Sequence, residues 1–330
     1  MVIKYSPRFS RFPTKFGSYW VERLIGRGGM GEVYRAFRLE LKPVVTVDAR
    51  VALKVPHNPC RSRTLQAIED EWTIGSQCHH HPNIVKMHEW GHVKGVPFIV
   101  MELVNGMSVE RLLRQAAVRM GAEAAIAIAL QVCEALECVH GARTAEGVPM
   151  RTVYQDLKPG NLLLGRDGHV TLVDFGLARF RNSLVGVEPG TVRGTPSYTA
   201  PEQVQGMRTD RRTDVFLVGS LLYELVTHRP AFMEDSVSQT LLAVEACMEP
   251  VARAERRQQV EAVCPHLWEV VDICHQAQRK DRPRDMRAVH TLLQSAHKQI
   301  GGADPRVALR AWVASVMDDL CTDDDDENAA

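Results

Sequence analysis

The chain lacks the features that mark secreted, membrane-spanning or strongly charged proteins. Its 330 residues include 40 basic and 40 acidic side chains, so a formal net charge of zero gives no electrostatic case for binding nucleic acid or an anionic membrane. Eight cysteines are scattered without a C-x-x-C pair, which disfavours a disulfide framework and favours reduced thiols. Residues 1 to 16 contain no apolar signal-peptide region, and the apolar run Val215 to Tyr223 is far too short to span a bilayer. We therefore expect a soluble, cytoplasmic protein.

The pattern along the chain divides it into a strand-rich first part and a helix-rich second part. Residues 1 to about 18 are expected to be a loosely structured leader, and strands separated by glycines follow from Tyr19. After Gly106, the segment Ala122 to His140 is rich in Ala, Leu, Ile and Val and predicts a long buried helix. The acidic end, Asp323 to Glu327, is typical of a solvated, disordered tail. The other predicted helices are Thr64 to Gln77, Asp214 to Thr227, Ser236 to Cys247, Leu267 to Gln278 and Met286 to His297.

A glycine-rich segment, Gly26 to Val33, reads G-x-G-x-x-G-x-V and lies between two predicted strands. Glycines allow a backbone to pass close to a polyphosphate and to present N–H groups to it. A dinucleotide-binding fingerprint shares this spacing, but it requires the glycine turn to open a helix. Here the glycines lead into Val33 to Phe37, which looks like a strand, so the dinucleotide-binding alternative is disfavoured.

A lysine, Lys54, follows in the predicted strand that begins at Val51. A lysine on a strand can lie along the surface, but its place downstream of the glycine-rich segment favours contact with the phosphates. Such a lysine requires a carboxylate to hold it. The next predicted helix offers Glu69, Asp70 and Glu71, of which we favour Glu71, although a solvated helix face would explain each acid taken alone.

Acids, an amide and a lysine surround a predicted hairpin between Asn161 and Asp174. Asp156 is suited to accept a hydrogen bond from an attacking hydroxyl, and Lys158 to neutralise a transferring phosphoryl group. Asn161 and Asp174 offer the oxygen ligands that Mg²⁺ prefers. Because the hairpin returns the chain on itself, both can face one metal site. The set predicts phosphoryl transfer from a nucleotide.

With these motifs in order, the chain resembles the protein kinase superfamily, and in particular the bacterial eukaryotic-like Ser/Thr kinases, over about residues 19 to 297. The resemblance implies an α+β fold of two lobes with ATP in the cleft between them. A small β-rich N-lobe with one main helix would cover about residues 19–104, and a larger, mostly helical C-lobe about residues 105–297. Residues 298–330 would be a C-terminal extension. The motifs that carry the resemblance are Gly26 to Val33, Val51 to Lys54, His81 to Val85, Asp156 to Asn161, Asp174 to Gly176, Gly194 to Tyr198, Ala200 to Glu202, Asp214 and Asp281 to Pro283.

The resemblance also assigns roles to single residues. Asp156, Lys158 and Lys54 would be catalytic, and Asn161 and Asp174 would hold Mg²⁺ or Mn²⁺. Met101 resembles the gatekeeper and Glu102 and Val104 the hinge. The ATP-binding residues implied are Ile25, Gly26, Gly28, Gly31, Val33, Ala52, Lys54, Glu71, Met101, Glu102, Val104 and Leu163.

The activation segment is expected to include Ser183, Thr191 and Thr195, with autophosphorylation favoured at the first two. The resemblance implies that Glu202 pairs with Arg282 in the C-lobe. It also implies that Asp214 braces the catalytic loop from a hydrophobic helix.

Three departures from the family pattern stand out. The usual His-Arg before Asp156 is Tyr154-Gln155, which removes the cation that normally grips a phosphorylated activation segment. The segment Gln77 to His81 is one residue longer than usual, and its three histidines are expected to form a surface loop rather than a metal site. Gly141 to Arg151 is a longer loop, which either docks a partner or has no function of its own.

The expected function is transfer of the ATP γ-phosphate to Ser or Thr hydroxyls of proteins, with autophosphorylation in a possible dimer. Retention of the Ala-Pro-Glu element, Ala200 to Glu202, argues for a protein substrate, because small-molecule kinases of related fold typically lack it. The main alternative is a pseudokinase or nucleotide-binding scaffold, supported by Tyr154-Gln155 and opposed by the retained Lys54 and Asp156. A small-molecule phosphotransferase is the third. No nucleic acid and no membrane insertion are expected.

Overall fold

Strands and helices occupy separate parts of the chain. The computed structural model describes residue 9 and residues 12–39, 50–57, 62–180 and 194–320, apart from the side chains at positions 62, 63 and 318–320. The first part forms a six-stranded antiparallel sheet in the order β1-β2-β3-β4-β6-β5. Its strands are β1 (Thr14–Phe16), β2 (Tyr19–Arg27), β3 (Gly31–Arg38), β4 (Arg50–Pro56), β5 (Met87–Val93) and β6 (Val96–Glu102), and helix α1 (Ser62–Cys78) lies between β4 and β5.

The rest of the described chain is mainly helical. A small three-stranded sheet of β7 (Gly106–Ser108), β8 (Leu162–Gly165) and β9 (Val170–Leu172) lies at its start. The helices are α2 (Val109–Gln115), α3 (Ala122–His140), α4 (Pro201–Val204), α5 (Arg211–Thr227), α6 (Val237–Glu245), α7 (Pro250–Glu261), α8 (Pro265–Cys274), α9 (Met286–Ile300) and α10 (Pro305–Leu320). The two-lobed α+β fold expected from the resemblance is confirmed.

Two helices form the centre of the large lobe because they are apolar on nearly every side. Helix α3 buries 13 of its 19 residues. Helix α5 buries every residue from Thr213 to Thr227, and it begins at Asp210, whose side chain accepts a hydrogen bond from the backbone N–H of Arg212. Helices α9 and α10 pack against α3, and α8 packs against α5. Asp214 is carried into this apolar centre and is fully buried.

The end of the expected leader differs from the prediction. Residues 14–16 form strand β1, with Phe16 paired to Tyr19 on β2, and the Phe16 side chain is buried. The ring of Phe16 packs edge-on against that of Phe98, with 5.7 Å between the ring centres. Aromatic burial therefore holds this segment on the sheet, where a loosely structured leader had been expected.

Other strands and helices begin at different residues from those predicted, or had not been predicted. The sequence pattern also predicts a strand over Ile84 to Trp90. That strand begins only at Met87, because Ile84 forms an isolated bridge to Leu172 in the other lobe. Helices α2, α4 and α7 had not been predicted. For the stretch after about Gly301 the sequence left a docking tail and a short helix with a disordered end as alternatives, and the structure has helix α10 there. The long loop Gly141 to Arg151 folds back on itself through a bridge between Arg143 and Pro149.

Candidate active site

The glycine-rich segment is the turn between β2 and β3. The Gly28 N–H donates to the Gly31 carbonyl over 2.9 Å. A Cβ at Gly31 would lie 2.5 Å from the Val55 carbonyl oxygen, so only glycine lets β4 approach this closely. At the tip, the Met30 sulfur lies 2.5 Å from the place of a Cβ on Gly176, so the turn closes over Asp174 to Gly176. The glycines lead into a strand, which excludes the dinucleotide-binding alternative.

Lys54 lies on β4, between its pairing partners Val33 and Ile99, and its side chain is buried. Its Nζ donates to both Glu71 oxygens at 2.6 and 2.9 Å, and to Asp174 Oδ1 at 2.7 Å. Of the three candidate acids on α1, it is Glu71 that meets the lysine, whereas Glu69 is exposed.

These three charged groups are electrostatically coupled, with Lys54 and Glu71 buried and the Asp174 side chain 37% exposed. Burial alone would lower the pKa of Lys54, but the Asp174 and Glu71 carboxylates outweigh it and raise that pKa. Burial would raise the pKa of Asp174, but the Lys54 ammonium outweighs it and holds the pKa below its ordinary value. The lysine is therefore charged and Asp174 ionised at neutral pH.

Asp156 and its neighbours form a second, linked group. Lys158 Nζ donates to both Asp156 oxygens at 3.0 and 3.1 Å, and it also reaches Thr195 Oγ1 at 3.3 Å. The Asn161 amide donates to Asp156 Oδ2 and to the Asp156 backbone oxygen, each over 2.8 Å. Burial raises the pKa of Asp156, and Lys158 opposes this rise. Asp156 is thus a largely buried carboxylate with a cation beside it.

Two residues of the site adopt left-handed backbone conformations, which cost about 1 kcal/mol each for side chains other than glycine. They are Gln155, with φ 69°, and Asp174, with φ 65°. The Gln155 N–H donates to Asp214 Oδ1 over 2.8 Å, and Asp174 Oδ1 accepts from the Gly176 N–H over 3.0 Å. These contacts hold both backbones in place, and such held strain is typical of functional sites.

The unusual Tyr154-Gln155 pair is braced by Asp214. Asp214 Oδ2 accepts from the Tyr154 N–H at 2.8 Å and lies 2.7 Å from His140 Nε2. The Tyr154 hydroxyl donates to the Val173 carbonyl at 2.6 Å, and its ring packs edge-on against Phe175. The Tyr154 side chain therefore lies in the core between the segment that carries Asp156 and the segment that carries Asp174. His140 was not predicted from the sequence, because its contact with Asp214 spans 74 positions.

A divalent cation suits the donor set next to these groups. The Asn161 amide nitrogen donates to Asp156, so its side-chain carbonyl oxygen could serve as a metal ligand, and Asp174 could add a carboxylate. Mg²⁺ takes only a few ligands from a protein, because it keeps water and phosphate oxygens in its coordination shell. Among the described residues, no group of three or more His, Cys, Asp or Glu side chains could hold a metal ion, and this includes the histidines of Gln77 to His81.

The positions expected to enclose the adenine lie on strands of both sheets. Ala52 on β4 pairs with Met101 on β6, and both side chains are buried. Val33 and Leu163 are partly buried, and Ile25 is 37% exposed. Beyond β6, the Glu102 side chain accepts from the Lys86 N–H at 2.9 Å, and the Val104 carbonyl accepts from the Gly106 N–H at 3.1 Å.

Glu202 and Arg282 form a bidentate ion pair that is buried in the large lobe. Arg282 Nη1 and Nη2 each donate to one Glu202 oxygen over 2.9 Å. The guanidinium also lies over the Phe216 ring, 4.9 Å from its centre. Ser183 and Thr191, which the sequence predicts as phosphorylation sites, lie outside the described residues.

A comparison with protein families identifies the class of protein. The model of the protein kinase domain matches residues 19–295, and the chain belongs to this family. It is 34% identical over 230 residues to the serine/threonine-protein kinase PknD of Mycobacterium tuberculosis, covering 70% of this chain and 32% of that protein. It is 30% identical over 296 residues to the serine/threonine-protein kinase PknH of Mycobacterium bovis, covering 89% and 46%.

One of the relatives carries the name tyrosine-protein kinase. The tyrosine-protein kinase MasK of Myxococcus xanthus is 29% identical over 256 residues, which cover 75% of this chain and 39% of that protein. The chain thus spans less than half the length of these three relatives. In the part of the chain that the structure describes, no helix combines the length and apolar character needed to cross a membrane.

Proposed function

We propose that this protein is a serine/threonine kinase that transfers the γ-phosphate of ATP to protein hydroxyls, with Mg²⁺ or Mn²⁺ as the metal. The observation that carries the proposal is the pair of linked groups described above. Lys54, Glu71 and Asp174 form one hydrogen-bonded set, and Asp156, Lys158 and Asn161 form the other. A scaffold that had lost transfer would not need both sets intact.

Each proposed role follows from the charge of the side chain and from the groups within its hydrogen-bonding distance. Asp156 would orient the attacking hydroxyl and accept its proton late, because it is a carboxylate that lies beside a cation. Lys158 would neutralise the charge that develops on the transferring group. Its contact with Thr195 links it to the activation segment. When bound, the metal would offset phosphate charge, with Asn161 and Asp174 as its protein ligands.

Nucleotide binding is proposed for the cleft between the lobes. The glycine turn would cover the phosphates, Lys54 would bind them, and Met101 would limit the depth of the adenine pocket. The proposed nucleotide contacts are Ile25, Gly26, Gly28, Gly31, Val33, Ala52, Lys54, Glu71, Met101, Glu102, Val104 and Leu163.

Other features of the proposal concern the setting of the reaction. Relatives named as serine/threonine-protein kinases support Ser and Thr as acceptors. Autophosphorylation at Ser183 or Thr191 would require two copies to meet, so we propose at least a transient dimer. A cytoplasmic location is proposed, with a kinase domain over about residues 19–297.

The decisive experiment incubates the protein with γ-labelled ATP and Mg²⁺, alone and with a generic protein acceptor, beside Asp156→Asn. We expect labelled Ser and Thr with the wild type and a loss of at least about a hundredfold with the variant, because a positioned base contributes 10² or more. ATP affinity should remain in both proteins. Metal chelation should abolish the labelling, and Mn²⁺ added back in place of Mg²⁺ tests the alternative metal.

Three results would contradict the proposal. ATP binding without any labelling would support the pseudokinase. Label found only on a small molecule would support the third alternative. Phosphoamino acid analysis is essential because MasK is named a tyrosine kinase, and label confined to tyrosine would exclude the Ser/Thr assignment.

A further inference from the structure

Two cysteines from different elements meet where α1 contacts α3. Cys78 is the last residue of α1, and Cys138 lies near the end of α3. The Cys78 sulfur is 4.0 Å from the Cys138 backbone oxygen, so the thiol of one cysteine lies against the residue that carries the other. Cys78 is fully buried, whereas Cys138 is partly exposed to solvent.

The two thiols differ in acidity, as an attacking and a resolving thiol do. The hydrogen bond that Cys78 donates to Cys138 raises the pKa of Cys78, and burial raises it further. The same hydrogen bond lowers the pKa of Cys138. Thiolate character and exposure together decide which cysteine reacts. By contrast, burial raises the pKa of Cys133, Cys247 and Cys274.

We propose that Cys78 and Cys138 form a reversible disulfide when the protein reacts with hydrogen peroxide. The Cys138 thiolate attacks one peroxide oxygen, the O–O bond breaks, and hydroxide leaves as water after protonation. Cys138 is then a sulfenic acid. The Cys78 sulfur attacks the Cys138 sulfur, the S–O bond breaks, and a second water leaves with the Cys78 proton. The thiols lose two electrons, the peroxide gains them, and a small thiol reverses the reaction by exchange.

The position of the pair gives the bond a consequence for the site. Cys78 lies on the same helix as Glu71, about two turns further along. Cys78 lies against Cys138 while Glu71 holds Lys54, so the disulfide would tie the end of α1 to the large lobe in this arrangement. The bond would also close a long loop that contains β5, β6 and most of α3, which restricts the unfolded chain. The formation of this disulfide does not depend on the phosphoryl transfer proposed above.

The test treats the reduced, full-length protein with hydrogen peroxide, alkylates the remaining thiols and maps the peptides by mass spectrometry without reduction. We expect one linked pair, Cys78 with Cys138. Cys78→Ser should abolish the link and leave Cys138 as a sulfenic acid that dimedone traps. Cys133→Ser, a buried cysteine on the same helix, is the matched control and should keep the link.

A second readout is the melting temperature of wild type and Cys133→Ser, which should rise by at least about 3 °C on oxidation and return with dithiothreitol. The inference is overturned if the folded wild type gives no link, or links either cysteine to another partner. It is also overturned if dimedone labels Cys138 equally in wild type and Cys78→Ser. Because the wild-type map is sufficient by itself, a variant that fails to fold does not block the test.

Discussion

At the scale of single residues, Gln155 stands where the family pattern has an arginine. Its backbone is held by Asp214, and its side-chain amide donates to Thr209 Oγ1 over 2.9 Å. The Gln203 amide in turn donates to the Gln155 carbonyl over 3.3 Å. A neutral amide bound to a neutral hydroxyl provides no cation at the place where kinases with arginine grip a phosphorylated activation segment. We expect this substitution to change regulation rather than the transfer chemistry.

We therefore expect the activity of the wild type to change little between the phosphatase-treated and the autophosphorylated protein. Gln155→Arg should introduce a dependence on phosphorylation of about tenfold, the value of one charge-assisted hydrogen bond. Initial rates on a protein acceptor, measured before and after phosphatase treatment, provide the comparison. Gln155→Met is the uncharged control and should show no such dependence. A large activity gain on phosphorylation of the wild type would refute this view.

At the scale of elements, the Glu202–Arg282 pair joins α4 to the segment that precedes α9. Arg282 also donates to the backbone oxygens of Gln276 and Ala277 at 2.7 and 3.1 Å. Because every contact of this arginine is inside the lobe, removing it leaves Glu202 as an unpaired buried carboxylate. The pair fixes the end of the activation segment to the helical core.

Arg282→Met should lower the free energy of unfolding by about 3–5 kcal/mol, because one partner of a buried ion pair is lost. The matched control is Arg287→Met, which removes the exposed pair between Arg287 and Glu137 and should cost less than about 1 kcal/mol. Urea unfolding of the three proteins measures both losses. Equal losses in the two variants would mean that burial does not govern the strength of the Glu202 pair.

At the scale of the whole molecule, the described fold extends beyond the family match. The match ends at residue 295, yet α9 continues to Ile300 and α10 packs against α3 and α2. The Trp312 indole N–H donates to the Val118 carbonyl over 3.0 Å, and its side chain is buried. Four further side chains of this helix are buried: Leu309, Val313, Val316 and Met317. The expected C-terminal extension is therefore part of the large lobe up to this helix.

Trp312→Ala should lower the free energy of unfolding by about 3–5 kcal/mol, the usual cost of removing a buried aromatic side chain. Arg306→Ala on the exposed side of the same helix should cost less than about 0.5 kcal/mol. Thermal or urea unfolding distinguishes the two variants. A loss for Trp312→Ala no larger than that of the control would show that α10 is only loosely attached.

Local chemistry explains which parts of this fold could be predicted. The bounds of α3 were predicted to the residue, because a segment rich in Ala, Leu, Ile and Val ends just before Gly141. The hairpin of β8 and β9 was predicted because its turn residues are local. Helix α2 was missed because it is only seven residues long, and α7 was missed because its exposed face is mostly polar.

The sequence by itself determined the class of protein, the order of its motifs and the residue types that phosphoryl transfer requires, since these depend on local spacing. Only the tertiary structure decided that Glu71 rather than Glu69 meets Lys54, because successive residues on a helix point in different directions and packing selects the face. Only the tertiary structure gave Gln155 its partner Thr209 and brought Cys78 to Cys138, because these contacts join residues 54 and 60 positions apart. Such long-range contacts arise from the packing of whole elements, and no local pattern encodes them.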